Sequence, residues 1–76
     1  MTEEQYNKIK KFERPLNCAY RASYARISPQ DMKELLEIYY GPDWQSKVPK
    51  TVMSCGHCKL VELKKIGAEY FNYDPS

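Results

Sequence analysis

Cys55-Gly56-His57-Cys58 holds the residues of this chain best suited to chemistry. A cysteine at the start of a helix meets unpaired N–H groups and the positive end of the macrodipole, which stabilise a thiolate and lower the thiol pKa. His57, between the two thiols, adds to that effect. The same spacing is half of a tetrahedral zinc site. Cys18 is the remaining cysteine, so a zinc reading takes Cys18, Cys55 and Cys58 as ligands and lacks a fourth. His57 lies inside the pair and does not easily join the same tetrahedron. Zinc binding and thiol redox chemistry therefore stand as alternatives to a plainer reading. In that reading Cys55 is a small apolar residue at the core margin, His57 is a solvated first-turn residue, and Cys58 is exposed on a face shared with Glu62, Lys65 and Glu69.

The second candidate is electrostatic. Lys8, Lys10, Lys11, Arg14, Arg21 and Arg26 stand close together against the single acid Glu13, with Tyr6, Phe12, Tyr20 and Tyr24 interleaved. The whole chain is only +2, so its other parts are net acidic. Lys10, Lys11, Arg14, Arg21, Tyr24 and Arg26 are the candidate partner-binding residues. Clustered Lys and Arg suit phosphates or an acidic protein surface, and tyrosines can stack on exposed bases. Seven tyrosines point the same way, because Tyr is enriched at interfaces. Tyr39-Tyr40 and Tyr70-Phe71-Tyr73 cannot all face inward in a small domain, which favours self-association or a protein partner; nucleic acid is a further possibility. The sequence has no paired carboxylates with supporting groups, no phosphate-binding glycine loop and no nucleophile–base–orienter set. It reads as non-enzymatic, with no cofactor unless the zinc alternative holds.

These residues must be positioned by helices. At 76 residues the chain is one domain, residues 1–76, and 42% hydrophobic with 29% charged residues suits a small folded core. No apolar run is long enough for a membrane span. The polar start Met1-Thr2-Glu3-Glu4 is no signal peptide, and Asp74-Pro75-Ser76 is no prenylation box. The expectation is a cytoplasmic protein (virion or host cytoplasm if phage-encoded) without a membrane partner. An odd number of cysteines argues against a disulfide framework.

The punctuation predicts an all-α bundle of three main helices. The first runs from about Glu3 to Ile27 and is kinked or split at Pro15, with Leu16, Ala19, Tyr20, Ser23, Tyr24 and Ile27 on one face. The second follows Ser28-Pro29-Gln30-Asp31, an N-cap with Pro at the first helical position. Met32, Leu35, Leu36 and Tyr39 form its apolar stripe, and it ends at Gly41-Pro42. A loop with a short extended piece at Thr51-Val52-Met53 leads to the third helix, capped by Ser54 and running to about Phe71. Leu60, Leu63, Gly67, Tyr70 and Phe71 form its inner stripe, with Val61 and Ile66 flanking. Gly67 costs about 1 kcal/mol of helix propensity against Ala, which suggests a close helix approach, under Trp44 or Tyr39. A helix-turn-helix is disfavoured, because a long loop follows Gly41-Pro42 and Ser54-Cys55-Gly56-His57 is a poor base-reading set.

Two resemblances attach to these motifs. Cys55-Gly56-His57-Cys58-Lys59 resembles the active-site run of protein disulfide isomerases. That family's thioredoxin fold is not expected here. Pro49 and the lysines break any buried strand before Cys55, Ser54 stands where the family has an aromatic residue, and no cis-proline loop has a candidate. The wider pattern from Phe12 to Phe71 comprises a Tyr/Arg-rich helix, the Ser28-Pro29 helix ending at Tyr40-Gly41, and Ser54-Cys55-x-x-Cys58. It closes with Leu60-x-x-Leu63-Lys64-Lys65-Ile66-Gly67-x-x-Tyr70-Phe71. This resembles short helical proteins encoded by bacteriophages and mobile elements, particularly of gut bacteria. The resemblance implies an accessory role, such as virion structure, DNA packaging or interference with a host protein, and transfers no site residue.

Overall fold

The computed structural model describes residues 1–74; Pro75 and Ser76, part of the tail read above for lipidation, lie outside the described residues. The chain is all-α, as its punctuation predicts. Helices α1 (Glu3–Ile9), α2 (Glu13–Ala22), α3 (Pro29–Tyr40) and α4 (Gly56–Phe71) are joined by turns, two of them single 3₁₀ turns at Lys10–Phe12 and Trp44–Ser46. No strand is found among the described residues, and no helix there is long and apolar enough to cross a membrane.

Helix α1 opens with a reciprocal cap. The Gln5 N–H donates to Thr2 Oγ1 (3.1 Å) and the Thr2 N–H donates to Gln5 Oε1 (2.9 Å). The same Gln5 side chain donates to the Tyr39 carbonyl (3.0 Å), one of the orphan acceptors at the end of α3. One residue thus ties the start of α1 to the end of α3. The break expected at Pro15 falls earlier. Pro15 sits in the first turn of α2, where its missing N–H costs nothing, but its ring would clash with the Lys11 carbonyl of a continuous helix. The chain tightens to a 3₁₀ turn at Lys10–Phe12 and restarts at Glu13.

Helix α2 stops at Ala22 and does not reach Ile27. Ser23 adopts a left-handed conformation (φ 58°, ψ 38°) and the Tyr24 N–H turns back to the Cys18 carbonyl (3.4 Å). Ser23, Tyr24 and Ile27 therefore leave the face they would share with Leu16 and Ala19. Helix α3 follows the sequence reading: Ser28 accepts from the Asp31 N–H (3.2 Å), Met32, Leu35 and Leu36 are buried, and Gly41 ends it at φ 101°.

The extended piece expected at Thr51–Met53 is a pair of turns. The Val52 N–H donates to the Pro49 carbonyl, and the Thr51 carbonyl accepts from both Ser54 and Cys55. The turns drop Val52 into the core, as the preceding 3₁₀ turn does Trp44. Helix α4 is capped by Cys55 and not by Ser54: the Cys58 N–H donates to Cys55 Sγ (3.3 Å). Ile66, expected at the flank, is fully buried, and Val61 is 49% exposed.

The helices pair as α1 with α3 and α2 with α4, the second pair in the more extensive contact. Ile9, Leu16, Met32, Leu35, Leu36, Leu63 and Ile66 are wholly excluded from solvent in one continuous cluster. Gly67 does admit a close approach, but by α2 and not by Trp44 or Tyr39. A Cβ there would lie 3.3 Å from Tyr20 Cβ and 3.4 Å from the Leu16 carbonyl oxygen. Two tyrosines lock α4 in rotation. Tyr70, buried, donates to Glu13 Oε2 (3.0 Å), and Tyr40 donates to Glu62 Oε2 (2.6 Å). Tyr6 stacks between Tyr70 and Tyr73, with centroids 4.8 and 4.7 Å away. The surplus aromatics thus cover one another: Tyr70 is buried, and Tyr39, Tyr40, Phe71 and Tyr73 are half-buried.

Two outcomes follow for stability. Gly67→Leu overpacks the α2–α4 seam and is expected to cost ~2 kcal/mol, while Gly56→Ala, whose Cβ meets nothing within 4 Å, gains ~0.5 kcal/mol; denaturant unfolding of both variants checks the contrast. Burial, then the facing carboxylates, push the Tyr40 and Tyr70 phenols above their ordinary values. A phenol raised in the folded state contributes stability that is intact below its unfolded pKa of about 10 and lost as pH rises through the folded value. A Tyr40→Phe, Tyr70→Phe double variant should melt below wild type at neutral pH, and the gap should close as pH climbs above about 10.

Candidate functional site

The expected basic face divides into three parts. Lys8 pairs with Glu4 (3.0 Å) one helical turn back, and Lys11 pairs with Glu34 of α3 (2.9 Å). Both lysines line the polar groove between α1 and α3, with Glu4, Glu34 and Glu37 beside them, so their charge is matched locally. Lys10 lies in the 3₁₀ turn, exposed.

Arg14 and Arg21 form the second part. With Asn17 they occupy positions i, i+3 and i+7 of α2, one outward stripe. This stripe, Glu13 and Phe71 line a shallow groove over the α2–α4 seam. The Arg21 guanidinium carbon stands 5.5 Å from the Phe71 ring centroid, and the Tyr20 ring stacks with the same Phe71 ring at 5.7 Å between centroids. Tyr20 is 39% exposed, and its hydroxyl accepts from the Asn72 side-chain amide (3.5 Å). Glu13 is the acid in this groove, and one of its oxygens is already engaged by the Tyr70 hydroxyl. No ion pair of Arg14 or Arg21 is found among the described residues.

Tyr24 and Arg26 form the third part, beyond the end of α2. Tyr24 is 47% exposed. Its hydroxyl meets the Cys18 thiol, which pushes the phenol up, while neighbouring Arg26 acts in the opposite direction. Six candidate residues of one segment thus do not make one surface. Arg14 and Arg21 share the α2–α4 groove, and Tyr24 with Arg26 lies beyond the end of α2.

Phe71 and Asn17 were not among the candidate partner-binding residues. The spacing of Phe71 predicts a place on the inner stripe of α4, whereas the structure leaves it half-buried. The signal available was the Tyr70-Phe71 doublet itself: adjacent residues on a helix are 100° apart, so when Tyr70 takes the core Phe71 must lie at its margin.

The cysteines separate as well. Cys18 lies on α2, apart from the start of α4, and the alternative zinc set Cys18, Cys55 and Cys58 is not assembled. Among the described residues no three His, Cys, Asp or Glu side chains converge to hold a metal. Cys55 and Cys58 stay together at the start of α4, the longest helix at 16 residues. Cys55, in extended conformation (φ −100°, ψ 115°), turns its sulfur over the first helical turn. The Cys58 thiol, then the Cys58 and His57 N–H groups, hold the Cys55 thiol below its ordinary pKa, against a partial desolvation that raises it. Cys58 Sγ lies 3.4 Å from Thr51 Oγ1. Both cysteines are half-buried, so Cys58 is less open than its place on the polar face of α4 suggests, and His57 is exposed.

The chain matches no protein-family profile, no curated protein and no solved structure.

Proposed function

We propose that this protein is a non-enzymatic interaction module that docks an acidic protein surface on the groove of Arg14, Asn17, Arg21 and Phe71. The observation that carries the reading is two arginines with no ion pair among the described residues beside an aromatic floor on an exposed helix face. Arg and aromatic residues are the side chains enriched at interface centres. Arg21 is held over Phe71 before any partner arrives, so less of its rotamer freedom remains to be lost on binding.

Charge decides between an acidic protein and nucleic acid. Duplex binding draws on many phosphate contacts. Here Lys8 and Lys11 are matched by Glu4 and Glu34, and Glu13 lies inside the groove. The remaining positive charge suits a few carboxylates better than a phosphate backbone. An accessory role in the cytoplasm of a phage-infected host, of the kind the wider sequence resemblance implies, is compatible with such a module.

Peptide selection tests the proposal. A random displayed peptide library panned on the full chain should yield binders rich in Asp and Glu. Arg14→Glu, Arg21→Glu should weaken those binders at least tenfold while shifting folding stability by less than about 1 kcal/mol, because both side chains are exposed. Binders without acidic enrichment, or binders indifferent to the double reversal, would remove the groove from the account. Tighter binding of duplex DNA than of any selected peptide at physiological salt would replace the acidic protein with nucleic acid.

A further inference from the structure

We propose that Cys55 and Cys58 are a reversible dithiol–disulfide couple that exchanges with small-molecule disulfides of the glutathione class. The two residues lie one helical turn apart on one face. Cys55 stands outside the helical conformation, so its side chain is free to fold over the turn and does so, with its sulfur on the Cys58 N–H at 3.3 Å. The Cys58 side chain is also the largest influence holding the Cys55 thiol below its ordinary pKa. First-turn spacing of this kind lies within the Cα separation that a disulfide accepts, so closure asks for side-chain rotation without unravelling α4. Thr51 Oγ1, 3.4 Å from Cys58 Sγ, holds the second sulfur at the helix entrance. Two thiols one helical turn apart, both half-exposed, distinguish this place from Cys18, which has no second cysteine on its helix.

The exchange balances as follows. The Cys55 thiolate attacks one sulfur of the disulfide RS–SR. A Cys55–SR mixed disulfide forms and RS⁻ leaves, taking up a proton from solvent. Cys58, after losing its proton to solvent, attacks Cys55 Sγ, forms the Cys55–Cys58 bond and expels the second RS⁻. The protein dithiol is oxidised by two electrons and one RS–SR is reduced to two RSH. Excess RSH reverses both steps. The Cys55 cap on the Cys58 N–H is the contact placed to change on closure, which couples the thiol state to the first turn of α4.

The full chain is equilibrated in glutathione buffers of increasing oxidation, alkylated, and mapped by peptide mass. The expected result is three alkylatable thiols under reduction and one, at Cys18, after oxidation, with an intramolecular bond between Cys55 and Cys58. Cys58→Ser should stop at a single glutathione adduct on Cys55. Cys55→Ser, which keeps a capping oxygen and hence the fold, should leave Cys58 at least tenfold slower to react than Cys55 in wild type. Adducts that persist on wild type without closure, first reaction at Cys18, or disulfide-linked dimers would each overturn the proposal. So would a tightly held zinc ion shielding both thiols.

Discussion

The seam between α2 and α4 is the constraint on which the rest of the structure depends, and one residue without a side chain permits it. Gly67 lets the α4 backbone close on the Leu16 carbonyl and Tyr20. The propensity lost by placing glycine in a helix interior, about 1 kcal/mol, is offset by burying Leu63, Ile66 and Tyr70 against Leu16 and Ala19. The approach also sets rotation. With Gly67 facing α2, Tyr70 points inward to reach Glu13, and Phe71 comes to the margin beneath Arg21. The candidate groove is therefore a product of the core and not a separate surface feature.

The two places where chemistry collects sit on parts of α4 that the seam treats differently. Phe71, in the last turn, is held by packing and contributes to a surface already in shape. Cys55 and Cys58, at the first turn, are held by turns at Pro49–Cys55 whose hydrogen bonds are local and whose apolar anchor is Val52. Rigid presentation suits recognition through Arg and aromatic groups. A first turn secured by short-range contacts suits a thiol pair whose bonding changes, because local openings cost little there.

Helix α3 was readable almost residue by residue, because Ser28, Pro29 and Gly41 each satisfy a backbone requirement that few other residues meet. The all-helical class followed from the same local signals. The end of α2 was not readable: Ser23 takes a left-handed conformation that serine rarely adopts, so the pattern ran on toward Ile27. The α4 cap was misplaced by one residue because Ser54 and Cys55 both present a side-chain acceptor, and tertiary placement of the Thr51 turn chose between them. Gly67 announced a close approach but not its partner, since spacing within one helix carries no information about which neighbour fills the gap. The basic segment showed the same gap. Its charge was visible, whereas its division depended on Glu34 and Phe71, which arrive from other helices.

The proposed partner surface depends on the Gly67 seam, which sets Phe71 beneath Arg21. Amide chemical-shift mapping of the full chain against a selected acidic peptide tests it most directly. The account predicts perturbations concentrated at Arg14, Asn17, Arg21 and Phe71, with the α1–α3 groove around Lys11 and Glu34 unaffected. Perturbations centred on that groove, or on the Trp44–Met53 turns, would contradict it.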